Sequence, residues 1–157
     1  MFLSKRRFSQ VIESTPLVSI DLVIEDESGQ VLLGERLNRP AQGFWFVPGG
    51  RIFKDEKLED AFARLTLEEL GHEFKLTQAI LLGPYTHLYD DYVFGNAIKT
   101  HYVAIAYKLI VIRSELNLPI DVQHSRYRWC NQDELLTSDK VHTHTKWYFQ
   151  KTTKTIT

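Results

Sequence analysis

The chain has 157 residues, 43% hydrophobic and 25% charged, with a net charge of −1. That length suits one domain with a full core, and the near-neutral balance argues against a nucleic-acid or membrane surface. A single cysteine, Cys130, excludes an internal disulfide and fits a reducing, cytoplasmic setting.

The basic start Lys5-Arg6-Arg7 precedes no apolar stretch and reads as a solvated terminal segment. Leu17 to Ile24 alternates as a strand with Val18, Ile20, Leu22 and Ile24 on one face. Glu25 to Gly29 is a turn, and Val31-Leu32-Leu33 begins the return strand of a hairpin. Arg39 to Gly43 is a loop, and Phe44 to Val47 a short strand ended by Pro48-Gly49-Gly50. A helix follows, with Asp55 as N-cap, Glu56, Glu59 and Asp60 matched to its dipole, and Gly71 as its stop. Leu81 to Tyr89 and Lys99 to Ile112 read as strands around an Asp90 to Ala97 loop. Tyr127-Arg128-Trp129 is a short strand after a loop from Asp121 to Ser125, and a last helix covers His144 to Lys151. Strands drawn from separated parts of the chain, with one helix between and one after, indicate α+β or a mixed-sheet sandwich rather than alternating βαβ units.

At about 100° per residue, Leu58, Ala61, Phe62 and Leu65 form the apolar stripe of the central helix. Glu69 falls in the middle of that stripe and Glu68 at its edge. A carboxylate facing the interior costs several kcal/mol unless it is compensated. Two compensations are open: an ion pair with Arg36 or Arg51, or a divalent cation, which takes carboxylate oxygen. Gly49 and Gly50 let the backbone approach a ligand, and a carbonyl there could join Glu69 on a cation.

Gly50, Glu56, Arg64, Glu68, Glu69 and Gly71 stand at the spacing of the Nudix box, and the segment resembles that family, which cleaves nucleoside diphosphates linked to another group. The family pattern has Glu directly after the Arg, where this chain has Leu65. Further stretches resemble one branch, the GDP-mannose mannosyl hydrolases, in which that departure is typical. They include Gly34-Glu35-Arg36, Asn38 to Gly43, Trp45 to Arg51, His87 to Asp91, Thr100-His101-Tyr102 and Gln123-His124. The resemblance implies one Nudix domain over 1–157, an α/β/α sandwich with a mixed sheet and the loop–helix of the box. It implies hydrolysis of GDP-mannose, and of GDP-glucose, to GDP and free sugar by water attack at the anomeric carbon. Mg²⁺ is then held by the Gly49 carbonyl, Glu69 and Gln123, His124 is the general base, and Arg36 and Arg51 act on the leaving GDP. Asp21, His87 and Tyr102 become sugar or diphosphate contacts. Phe2, Leu3 and Phe8 become nucleotide contacts, possible across a homodimer.

These residue types suit that reaction. GDP leaves well once its charge is neutralised, and Arg is suited to bidentate contact with phosphate oxygen. No acid is then needed, and one base near neutral pH suffices to activate water, with inversion at carbon. Other readings stay open: attack at phosphorus, or nucleotide binding without catalysis. His142 and His144, beside Lys140 and Lys146, read as solvated, and Asp21 in an apolar strand needs a partner such as Arg36. The aromatic run Tyr85, Tyr89, Tyr92 and Phe94 suits a lid, a dimer contact or a hairpin packed on itself.

Overall fold

The computed structural model describes residues 2–119 and 124–150, with the backbone alone at 124 and 125. Strand β1, Leu17–Glu25, buries Ile20, Leu22 and Ile24 on one face and turns Val23 to the other. Val18, expected with the first set, is exposed. β1 runs parallel to β6, Thr100–Ile110, from Leu17↔Tyr102 to Glu25↔Ile110, and β5, Ile80–Tyr89, lies antiparallel outside β6. On the other side, β2 (Val31–Arg36) carries β3 (Trp45–Phe46) and β7 (His124–Cys130). β1 and β2 pair at Glu25↔Val31 and then diverge, and β4, Gly49–Arg51, pairs with β1 in the opening. That split positions the site.

The apolar stripe of α2, Leu58–Leu70, covers one face of the sheet. Ala61, Phe62, Leu65 and Leu70 pack there on Ile20, Leu22, Ile24, Leu32, Tyr107 and Leu109. Each large side chain buried this way contributes about 1.5–3 kcal/mol. The helix does not begin at Asp55, which takes a left-handed φ of 65° in the preceding turn, and Lys57 stands at the cap without a side-chain bond. Glu56 holds that turn, its carboxylate accepting from the Phe53 N–H at 3.0 Å. The stop at Gly71 is as expected: φ is 68°, and its N–H donates to the Leu67 carbonyl.

The opposite face carries Val23, Val31, Leu33, Trp45, Val47, Leu135 and Val141 beneath α3 (Gln132–Thr137) and α4 (Thr143–Lys146). Helix, mixed sheet and helix form the expected sandwich. The terminal helix is shorter than predicted, closing at Lys146 and continuing as one 3₁₀ turn, Trp147–Phe149. The basic start is solvated, as expected, and is also helical. It forms α1, Lys5–Ser14, with Ser4 Oγ accepting from the Arg7 N–H, and it turns Phe8 and Ile12 inward while Lys5, Arg6 and Arg7 face solvent. Among the described residues, no helix is long and apolar enough to cross a membrane.

Candidate active site

Strand register assembles the site. Asp21 lies opposite Gly49, and Ser19 opposite Arg51, across β1 and β4. Leu17, Ser19 and Asp21 align with Tyr102, Ala104 and Ala106 on β6, and Tyr102 aligns with His87 on β5. Alternate residues share a face, so Asp21, Arg51, Tyr102 and His87 stand together on the face away from α2. Ser19, Gly49, Ala104 and Ala106 are small and keep the floor low. The resulting cavity, about 240 Å³, is lined by Asp21, Arg36, Gly49, Arg51, His87, Tyr89 and Tyr102 among others.

Arg36 enters from the divergent half of the sheet, its guanidinium 5.0 Å from the Phe46 ring centre. Arg51 sits 4.9 Å from the Phe8 ring centre and 5.2 Å from that of Phe53. A smaller cavity of about 180 Å³ shares Arg36 and Tyr102 and adds Phe8, Ile12 and Asn38 to Pro40. Six of the predicted residues, Asp21, Arg36, Gly49, Arg51, His87 and Tyr102, thus meet in one place, with Phe8 adjoining.

A third cavity, about 520 Å³, lies along the helix and shares Gly50 and Arg51 with the first. Phe2, Leu65, Glu68, Glu69 and Tyr127 line it, whereas Leu3 lines none of the three. Glu69 is 2% exposed, as the helical period requires, and Glu68 is exposed. Leu65 lies over Gly50, where an added Cβ would come within 2.5 Å of its Cδ2. A Cβ on Gly49 would strike the Ile20 carbonyl oxygen, a backbone atom, so glycine is required there, whereas at Gly50 only the flexible end of Leu65 is in the way. The buried Glu69 carboxylate, on the same cavity as the Gly50 backbone, is hard-donor chemistry and fits a divalent cation such as Mg²⁺.

Glu56 and Arg64, the other charged members of the box, are framework. Arg64 grips the Glu56 carboxylate with Nε and Nη2 at 2.7 and 2.9 Å, and Nη2 also donates to the Arg51 carbonyl at 2.9 Å. Those bonds from Arg64 hold the Glu56 carboxyl below the usual carboxylate range. β7 opens at His124, whose backbone pairs with Arg36. The His124 side chain and Gln123 lie outside the described residues.

The C-terminal segment departs most from expectation. His142 and His144, read as solvated, are drawn under the cavity because the segment pairs with β3. Trp45 N–H donates to Lys140, and His142 N–H donates back to Trp45. His144 is 7% exposed and stacks on His87 with ring centres 4.4 Å apart, and His142 stacks on Phe46 at 4.6 Å. Burial is the main cause that lowers His87 and His142 to about 4 and His144 to about 3, so all three are neutral at pH 7. Among the described residues, no three His, Cys, Asp or Glu side chains are grouped to hold an ion.

Tyr148, not singled out from the sequence, donates its hydroxyl proton to Asp21 Oδ2 and lies 3.2 Å from His87 Nε2. The direct partner of Asp21 is therefore Tyr148 rather than Arg36, which acts on it through charge. Burial raises Asp21 to about 6 against both influences. The aromatic run packs on the rest of the molecule: Tyr85 on Tyr148, Tyr89 on His144 and Phe94 on Phe8. The burial of His142 and His144 follows from the pairing of 140–142 with β3 and the start of α4 at Thr143, which no local pattern announces. Tyr148 and Asp21 are 127 residues apart and likewise leave no local sign.

Known proteins resemble the chain in sequence and in fold. The chain is 43% identical over 118 residues to the low-salt glycan biosynthesis protein Agl8 of Haloferax volcanii, covering 75% of this chain and 72% of that protein. It is 31% identical over 112 residues to the ADP-ribose pyrophosphatase of Methanocaldococcus jannaschii, 71% of this chain and 61% of that enzyme. The crystal structure of the MutT NUDIX hydrolase from Burkholderia pseudomallei superposes with a TM-score of 0.70 at 26% identity, over 89% of this chain and 100% of that one. The MutT protein of Methanosarcina mazei gives a TM-score of 0.70 at 23% identity, over 87% and 92% of the two chains. Residues 15–151 match the NUDIX domain, and the chain belongs to that family.

Proposed function

We propose that the chain hydrolyses GDP-mannose, and GDP-glucose, to GDP and free sugar, with water attacking the anomeric carbon and inverting it. The observation that carries this reading is at Gly50. Leu65 fills the helix position over it, so the carboxylate usual after the box arginine is absent, while Glu69 stays buried one turn further on. The helix keeps a metal-binding carboxylate and lacks the second one that the family pattern supplies. A relative named for glycan biosynthesis supports a sugar nucleotide as substrate.

In this reading Arg36 and Arg51 take the diphosphate oxygens, which matches their place on one cavity. Asp21, His87 and Tyr102 hold the hexose at the inner end. Phe8, with Phe2 and Leu3, contacts the nucleotide, and exposed Phe2 is free to reach the site of a second copy in a homodimer. Mg²⁺, held by the Gly49 carbonyl, Glu69 and Gln123, supplies charge neutralisation for the departing GDP. His124 removes the proton from the attacking water, general-base chemistry to which an imidazole is suited.

The relative named ADP-ribose pyrophosphatase favours a second reading, attack at phosphorus. Hydrolysis of GDP-mannose in ¹⁸O water with Mg²⁺ separates the two. Label in free mannose is the expected result. Label in a phosphate product overturns the proposal in favour of the second reading, and no Mg²⁺-dependent turnover of any GDP-sugar leaves a binding module.

A further inference from the structure

We infer that Tyr148 is a positioning residue that sets the sugar-facing wall of the cavity, holding the Asp21 carboxylate in place and fixing His87 as its Nε2–H tautomer. A phenol has one proton to donate. The nearer and more strongly accepting atom is Asp21 Oδ2, so that proton is committed to Asp21. The phenol oxygen can then only accept at its second contact, the His87 Nε2 at 3.2 Å, and Nε2 must carry the hydrogen. His87 is neutral, so its Nδ1 holds a lone pair. Asp21 makes no claim on a hydrogen at Nδ1, since its Oδ2 lies 4.0 Å away, beyond hydrogen-bond range.

Two acceptors are thereby left on side chains that line the same cavity: Asp21 Oδ1 and His87 Nδ1. Oδ1 lies over Gly49, where an added Cβ would come within 3.0 Å of it. A wall of acceptors takes hydroxyl donors and repels phosphate oxygen, whereas the Arg36 and Arg51 side does the reverse. The substrate is thus oriented by its own chemistry, polyol to Asp21 and His87, diphosphate to the arginines. Tyr148 touches neither part. It acts through the two residues it bridges, and its ring is itself held edge-on by Tyr85 at 4.8 Å.

The polyol half of this inference rests on the proposed GDP-sugar reaction, but the tautomer does not. Long-range imidazole ¹H–¹⁵N spectra of the full chain, with the His87 signal assigned by its loss in His87→Gln, are expected to show Nε2–H in the wild type. In Tyr148→Phe that preference is lost. The same preparations, assayed with Mg²⁺, are expected to show kcat/KM for GDP-mannose lower by about tenfold, the worth of one hydrogen bond in a binding wall. Inhibition by GDP, which lacks the sugar, stays unchanged. An Nδ1–H tautomer in the wild type overturns the inference. So does a Tyr148→Phe protein with wild-type spectra and kinetics, or one that loses GDP affinity in proportion, which marks a merely structural side chain. A wild type that turns over no GDP-sugar sinks the proposed function, while the spectra still decide the role of Tyr148.

Discussion

The proposed chemistry turns on His124 as its base, while the described side chains that line the cavity are assigned to the sugar and the diphosphate. Asp21 is bonded to Tyr148, and burial keeps His87 neutral with a poor appetite for a proton. Arg36 and Arg51 carry guanidinium groups, which offer donors and no acceptor for a proton. His124→Gln keeps a polar side chain of similar length and removes the basic nitrogen. It is expected to lower kcat by about 10²- to 10⁴-fold, the usual worth of a positioned base. GDP affinity, which the proposal assigns to the guanidinium groups, should stay close to wild type. Steady-state kinetics with GDP-mannose and an inhibition constant for GDP check this, and near-normal turnover removes His124 from the role.

Between elements, the contact of Leu65 with Gly50 locks α2 to β4. Leu65→Ala empties a fully buried position and should cost about 2–5 kcal/mol. Gly50→Ala presses a methyl on Leu65 Cδ2, the flexible end of a side chain, so the two changes should compensate. The double variant is expected to be more stable than the sum of the singles by about 1 kcal/mol. Gly49→Ala meets the Ile20 backbone, and Leu65→Ala should not rescue it. Urea unfolding of the set tests the lock, and strict additivity of Gly50→Ala with Leu65→Ala breaks it. This helix was legible because its period is local: the stripe, the inward Glu69 and the Gly71 stop follow from spacing alone. Asp55 misled because a good capping residue is also a good left-handed turn residue. In α1 the outward Lys5, Arg6 and Arg7 masked Phe8 and Ile12, whose four-residue spacing marks one helix face. The convergence of Asp21, His87 and Tyr102 depends on strand register across separated segments, and resemblance rather than any local pattern pointed to it.

Over the whole molecule, these buried groups predict a fold that loses stability in mild acid. His87, His142 and His144 have folded pKa values near 4, 4 and 3, below the ordinary 6.5, so the folded state refuses protons that the unfolded chain accepts. Their contribution is fully present above pH 6.5 and is lost as pH falls toward 4. Asp21 has the opposite sign: raised from 3.8 to about 6, it favours the fold when protonated and so gains stability as pH falls through 6. Three histidines against one aspartate leave a net uptake of about two protons on unfolding between pH 6 and 4, or roughly 3 kcal/mol per pH unit at most. A second loss follows below 3.8. Asp26 is partly opposed by its burial, but bonds from Gln30, Ser28 and Arg113 lower it to about 2. Urea midpoints measured near pH 7 and near pH 5 should therefore fall steeply, and His144→Leu, which removes one buried base, should flatten the slope. Equal midpoints at the two pH values would mean that the three imidazoles are not held neutral by the fold.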